Sequence, residues 1–454
     1  MMRNRMYLIC CLAAACAVLA CKKFLDKQPD DSLQIPNTVA AYQSILDQDV
    51  LTERCTPGLG PMGVPDYIVD SSAQQSMDSL SIGVYTWQPM VYQGKTNLSW
   101  TQPYDAVFIC NSVLAGLPEL QITDSADRSS YNFVYGQALF LRSFYFYHLE
   151  ETFGQPWRSV TAASASGIVL RTSAVPQLLV KRATVQEVYR QITADLEQAV
   201  RLLPISVQYA NRNRPSRPAA YALLSKVWLT QQDSMKGKLY ADSSLLLYDS
   251  LLDYNTLNGA AEHPFPQTGN SEILFQCSAF NYPLQYAKSS LVDSVLYNSY
   301  DTDDLRRTIF FHPAASGRGV YFKGQYTGLA YLSSAICTDD VYLIRAECNA
   351  RMGNIAQAMT DLNTLLSRRW RKGSFHTNVA GNREQALSLV LGERRKETLF
   401  REGRWYDLRR LDLPNTLNRT IRGQVYTLPP DDARYTWLIP QQEINLDHIM
   451  QNPG

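Results

Sequence analysis

The sequence predicts a mainly α-helical protein in which helical hairpins form a scaffold for long irregular loops and a few short strands. Three observations lead there. Apolar residues recur three or four apart over several long stretches, the spacing of one helix face. Capping residues and Gly or Pro stops bracket those stretches. Between about 254 and 330 the periodicity gives way to Gly, Pro, Asn, Ser and Tyr, which is loop chemistry. Hydrophobic residues make up 45% and charged residues 19% of the 454, more than one core usually serves, so two lobes are expected.

Taken in order, Asn37 is placed to cap a helix through Tyr42, Ile45 and Leu46. From Tyr104, Val107, Phe108, Asn111, Val113 and Leu114 keep one stripe; a second long helix is expected from Tyr131 to Phe153, stopped at Gly154 with Pro156 beyond. Thr184 with Glu187 reads as a capping box before Val185, Val188, Ile192, Leu196, Ala199, Val200 and Leu203, a pattern that ends at Pro204. Pro218 opens the next helix, and Glu272 to Phe275 is strand-like inside the loop region. Asp339, read as a cap, precedes a helix to Met352 that turns at Gly353-Asn354 and returns as 355–369. Ala346 and Ala358 fall where those two helices must approach closely, and the unit resembles a tetratricopeptide hairpin. A right-handed stack of such hairpins is expected.

The amino terminus carries Arg3 and Arg5, an apolar run from Met6 to Ala20, and then Cys21 before Lys22-Lys23. The run is short for a membrane span, which needs about 20 apolar residues, and suits an export leader. A cysteine at the cut resembles a bacterial lipoprotein signal, which implies acylation of Cys21; more than one acyl chain, at about 0.8 kcal/mol per buried CH₂, anchors a protein stably. The expected divisions are a leader over 1–20, an N-terminal helical region over 21–235 and a C-terminal region over 236–454 holding the loop-rich lobe and the hairpin. Loss of Arg3 and Arg5 takes the net charge from +1 to about −1, which argues against a nucleic-acid partner. Cys55, Cys110, Cys277, Cys337 and Cys348 remain, without C-x-x-C or metal spacing, and are read as buried thiols.

The densest charge run is Glu393-Arg394-Arg395-Lys396-Glu397, continuing to Arg401-Glu402-Gly403-Arg404-Trp405-Tyr406-Asp407. It resembles the carboxy-terminal signature of the SusD/RagB family. Lys23-Phe24-Leu25-Asp26, Asn111-Ser112-Val113-Leu114, Arg142-Ser143-Phe144, Phe153-Gly154-Gln155-Pro156-Trp157, Ser271-Glu272-Ile273-Leu274-Phe275, Tyr342-Leu343-Ile344-Arg345-Ala346-Glu347 and the closing Gln451-Asn452-Pro453-Gly454 match the same family in the same order. The resemblance implies a noncatalytic lipoprotein of the cell outer membrane, facing outward, that captures oligosaccharides or peptides and hands them to a SusC-like TonB-dependent transporter. The lysines after Cys21, where acidic residues are common in such lipoproteins, leave the anchor's leaflet open. A periplasm-facing helical-repeat scaffold and a glycan-cleaving enzyme are the rival readings.

Within the signature, Glu393 and Glu397 lie one helical turn apart and are expected to pair with Arg394, or with Arg401 and Arg404 from the next turn, as a structural charge network. Trp405 and Leu408 are expected beneath them. No cofactor or metal site is read: His148, His263, His312, His376 and His448 are scattered, and His148 suits a satisfied core position. Ligand contacts are expected on loops, with Tyr67, Trp87 and Tyr92 from one stretch and Tyr282, Tyr286 and Tyr297 from another. Flat aromatic faces suit the C–H surfaces of sugar rings.

Overall fold

A computed structural model describes residues 36–453 apart from 90, 176–178, 208–210, 283, 285–287, 289 and 412. The leader, Cys21 and Tyr286 lie outside the described residues. Helix α1 spans Val39–Leu46, and its cap is Thr38, whose Oγ1 accepts the Ala41 N–H at 3.1 Å, one residue after Asn37. Helix α2 (Leu98–Gly116) is capped by Asn97, and helix α3 (Ser125–Phe153) by Asp124. Both begin ahead of the apolar stripes at Tyr104 and Tyr131. The first turns of α3 are largely polar, and α2 opens on Leu98 and Trp100 ahead of the stripe, so in both the cap fixes the start.

Helix α4 (Val185–Leu202) carries the capping box: Thr184 Oγ1 accepts the Glu187 N–H at 3.2 Å, and Glu187 Oε2 accepts the Thr184 N–H at 2.9 Å. Its predicted stripe is fully buried from Val185 to Ala199. Helix α5 (Arg217–Thr230) doubles back into α6 (Ser234–Leu247), and α7 (Thr338–Arg351) into α8 (Ile355–Leu366). Gly353, at φ +82°, makes the second of these turns in a backbone region that disfavours any Cβ. Helices α9 (Arg383–Glu397) and α10 (Gly403–Arg410) carry the charged signature.

Helix α6 packs on both α5 and α7, so the hairpins of the two halves form one stack. The division expected at 235–236 falls inside the first turn of α6, and the main core draws side chains from Val39 to Ile449 across it. A smaller apolar cluster lies within the α7–α8 hairpin and α9, with Ala346 and Ala358 both fully buried in it.

Short strands join the helices, and they populate the region read as loop. Strand β1 is Tyr67–Val69, and β2 (Ser166–Val169) pairs with β3 (Arg182–Thr184). Strand β4 (Ile273–Phe275), anticipated from the sequence, pairs with a later two-residue strand, Ile336–Cys337. Strands β5 (Ser290–Val292), β6 (Phe311–Pro313) and β7 (Val320–Phe322) join β1 in an antiparallel sheet of order β1-β5-β7-β6. Three residues per strand is too few to show a period of two, which is why this sheet escapes the sequence. Among the described residues no helix is long and apolar enough to cross a membrane.

Candidate functional site

Glu397, at the end of α9, is fully buried and pairs with arginines from other parts of the chain. Its Oε2 takes Arg306 Nη1 at 2.9 Å and its Oε1 takes Arg369 Nε at 2.8 Å. Arg306 also donates to Asp304 at 2.7 Å and Glu393 at 2.6 Å, while Arg369 donates to Glu272 at 2.6 Å. Burial raises the pKa of Glu397, but Arg369 and Arg306 more than offset it and hold the carboxyl below its usual range. At Glu272 burial wins over Arg369 and lifts the carboxyl to about 7. The expected partners are therefore corrected. Arg394 pairs with Asp340 and Asp407, Arg401 with Asp339, and Arg404 faces Asp66 at 3.9 Å. Asp339 is likewise no cap, since α7 starts from Cys337 and the Asp339 carboxylate is spent on Arg401. Each of these acids has a guanidinium partner, an arrangement that fastens segments together.

The aromatic candidates from the first loop are also inward. Tyr67, Tyr85 and Trp87 surround the guanidinium of Arg419, whose carbon lies 4.8, 3.9 and 5.1 Å from their ring centroids. Arg419 also donates to the carbonyls of Met62, Val64 and Tyr85. Tyr92 is buried as well, and Tyr282 donates to Asn97 Oδ1 at 2.9 Å and lies 2.8 Å from Ser99 Oγ, fixing the start of α2. Those four expected ligand residues are buried: Tyr67 and Trp87 cage a cation, Tyr282 locks a helix cap, and Tyr92 packs in the core. Tyr297 is half-buried, with the Arg307 guanidinium 4.6 Å from its ring. His148 is buried with Nδ1 2.8 Å from the Tyr406 hydroxyl. Trp405 and Leu408 are core residues, Trp405 stacked on Trp437 at 5.5 Å.

An accessible aromatic surface does exist on the four-stranded sheet. Its inner face carries Tyr67, Val69, Val292, Val320 and Phe311, all buried. Directly paired residues share a face, and the register sets Ile68 opposite Leu291, Leu291 opposite Tyr321, and Tyr321 opposite His312. That row crosses all four strands on the outer side. Ile68 is 51% exposed, Leu291 only 7%, Tyr321 half-exposed and His312 exposed. The Tyr321 and His312 rings are stacked, with centroids 5.2 Å apart and planes 29° from parallel, so each ring turns one face towards the other. Lys288 Nζ stands 5.7 Å from the Tyr321 centroid and pairs with Glu262 at 3.1 Å, placing exposed polar groups at the rim. Among the described residues, concavities of about 650, 530, 480 and 350 Å³ lie elsewhere, and none of the named aromatic candidates lines them.

Two family models match the chain. One, described as starch-binding and associating with the outer membrane, covers residues 23–229, and the SusD family model covers 338–454. Together they account for more than half of the residues. The chain belongs to the SusD/RagB family. SusD-like protein P2 of Formosa agariphila is 27% identical over 433 residues, 80% of this chain and 81% of its own. A SusD superfamily structure from Bacteroides thetaiotaomicron aligns with TM-score 0.73 at 22% identity, covering 92% of this chain and 100% of that one. A SusD-like carbohydrate-binding protein from Bacteroides vulgatus aligns with TM-score 0.67 at 18% identity, covering 91% and 97%. The mainly helical SusD fold is thus shared along nearly the whole chain, and the SusD/RagB family is one of binding proteins rather than enzymes. The sequence offers His312 only as one of five scattered histidines and does not single out Tyr321, because their strands are too short to announce a sheet face. Alternation within Val320-Tyr321-Phe322 and Phe311-His312-Pro313 was the faint signal available.

Proposed function

We propose that this protein is an outer-membrane lipoprotein, anchored through Cys21, that captures oligosaccharides outside the cell and delivers them to a SusC-like TonB-dependent transporter. The observation that carries the reading is the pair of SusD-type family models over a body in which the signature's Glu393 and Glu397 are paired with Arg306 and Arg369. We place the sugar-contacting surface on the strip of Tyr321 and His312. The outward face of this stacked pair, on the exposed His312 side, meets the weakly positive C–H edges of a pyranose, while Lys288 and Glu262 reach its hydroxyls. A rigid sheet holds the strip, so little ordering accompanies binding.

Titration calorimetry against a panel of oligosaccharides tests this. Tyr321→Ala lowers affinity for the bound sugar about tenfold or more, a loss of about 1.4 kcal/mol, while the far-UV spectrum is unchanged. If Tyr321→Ala binds as the parent does, the strip is not the site. If only peptides bind, the ligand class is wrong. Pull-down from detergent-solubilised outer membranes recovers a TonB-dependent barrel, and mass spectrometry finds acyl chains on Cys21.

A further inference from the structure

Cys55 and Cys277, 222 positions apart in the chain, bring their sulfurs to 3.6 Å in the core. Backbone pairing places them there. The Cys55 N–H donates to the Ser278 carbonyl at 3.1 Å, the Ser278 N–H to Thr52 O at 3.0 Å and the Phe280 N–H to Thr56 O at 2.8 Å. Thr56 and Ala279 form a parallel bridge. In this parallel register Cys55 lies opposite Ser278 and one residue off Cys277; adjacent segments about 4.8 Å apart with a step of about 3.3 Å along the chain give a diagonal of about 6 Å, inside the Cα separation of about 4.4 to 6.8 Å that a disulfide spans. The structure holds both side chains as thiols, and it surrounds them with the Tyr145 hydroxyl, 3.2 Å from Cys55 Sγ.

We propose that Cys55 and Cys277 join as a disulfide when the chain folds in the presence of a disulfide oxidant, as in an exporting compartment. The choice of compartment rests on the export reading above; the pairing rests on the geometry alone. Both residues are buried in the finished fold, so the bond forms before the core closes. One cysteine thiolate attacks the oxidant's disulfide and expels a thiolate; the second cysteine then attacks the mixed disulfide and releases the other half. Two protein thiols give up two protons and two electrons, and the oxidant leaves as two thiols. The bond would fasten the segment entering the 57–100 loop to the one entering β5, the two ends of the chain that support the Tyr321 sheet.

The full chain is extracted from its own cells, denatured without reductant, alkylated and digested; a second portion is reduced, unfolded and refolded in a glutathione redox buffer. The expected result in both is a linked peptide pair containing Cys55 and Cys277, with Cys110, Cys337 and Cys348 alkylated. Reduction is expected to lower the thermal midpoint by about 5 °C. The Cys55→Ser, Cys277→Ser double variant shows no such response to reductant. Free Cys55 and Cys277 in exported protein, or after refolding with glutathione, overturns the proposal. If the chain is found in the cytosol, the export reading fails, and the refolded portion alone decides the pairing.

Discussion

Glu150, on α3, is a buried carboxyl whose ionisation its surroundings oppose. Burial first, and then the like charge of Glu151, push its pKa to about 8, even though Oε2 accepts the Ile168 N–H at 3.0 Å. Gly154 completes the pocket: a Cβ there would lie 2.3 Å from the Glu150 carboxyl carbon. The glycine was legible in the sequence as a helix stop, but its φ of −79° is ordinary, and close approach is the reason only glycine fits. That reason depends on a side chain one turn back, which a stop signal does not reveal. The folded protein holds the Glu150 proton between the ordinary value of 4.5 and about 8, whereas the unfolded chain releases it. This contribution to stability is therefore complete below 4.5 and is lost as pH rises through 8, with a slope of up to about 1.4 kcal/mol per pH unit. Glu150→Gln, which cannot ionise, flattens the decline of the thermal midpoint between pH 5 and 9. Parallel declines in parent and variant would refute the assignment.

At the scale of the element, the helices were legible where an apolar stripe and a cap agree, as in α4, and blurred where the cap lies one or more turns ahead of the stripe, as in α2 and α3. The side chain that binds those three helices together gave no periodic sign. Arg142, on α3, donates to both oxygens of Asp195 on α4 at 2.8 Å and to Asn111 Oδ1 on α2 at 2.9 Å. It is 8% exposed, so its removal leaves Asp195 charged and largely without water. Arg142→Leu is expected to cost about 3 to 5 kcal/mol in urea unfolding, and adding Asp195→Leu to recover much of it, since an apolar pair needs no mutual compensation. Additive losses in the double variant would mean that packing, not charge, ties the helices.

At the scale of the whole molecule, the signature at 393–410 is where distant parts of the chain meet. It was legible as a charge network, but its partners were not. Helical spacing offers only neighbours within a turn, whereas Arg306, Arg369, Asp339 and Asp340 come from the loop lobe and from α7–α8. The ligand arc failed to be legible for a related reason: the sequence shows aromatic richness without showing that Arg419 lies at the centre of it. Glu397 tests what this junction is for. Replacement by Gln keeps its shape and removes the charge that two buried guanidiniums share, leaving Arg306 with Asp304 and Glu393, and Arg369 with Glu272 and the more distant Asp339 at 4.0 Å. A loss of about 3 kcal/mol in urea unfolding is expected, with the denaturant slope unchanged because the native surface is the same. Well below its midpoint, Glu397→Gln should bind oligosaccharide with the parent's affinity, since the Tyr321 strip stands on a separate face. A variant that unfolds as the parent does yet loses its ligand would move the site from the sheet to the signature.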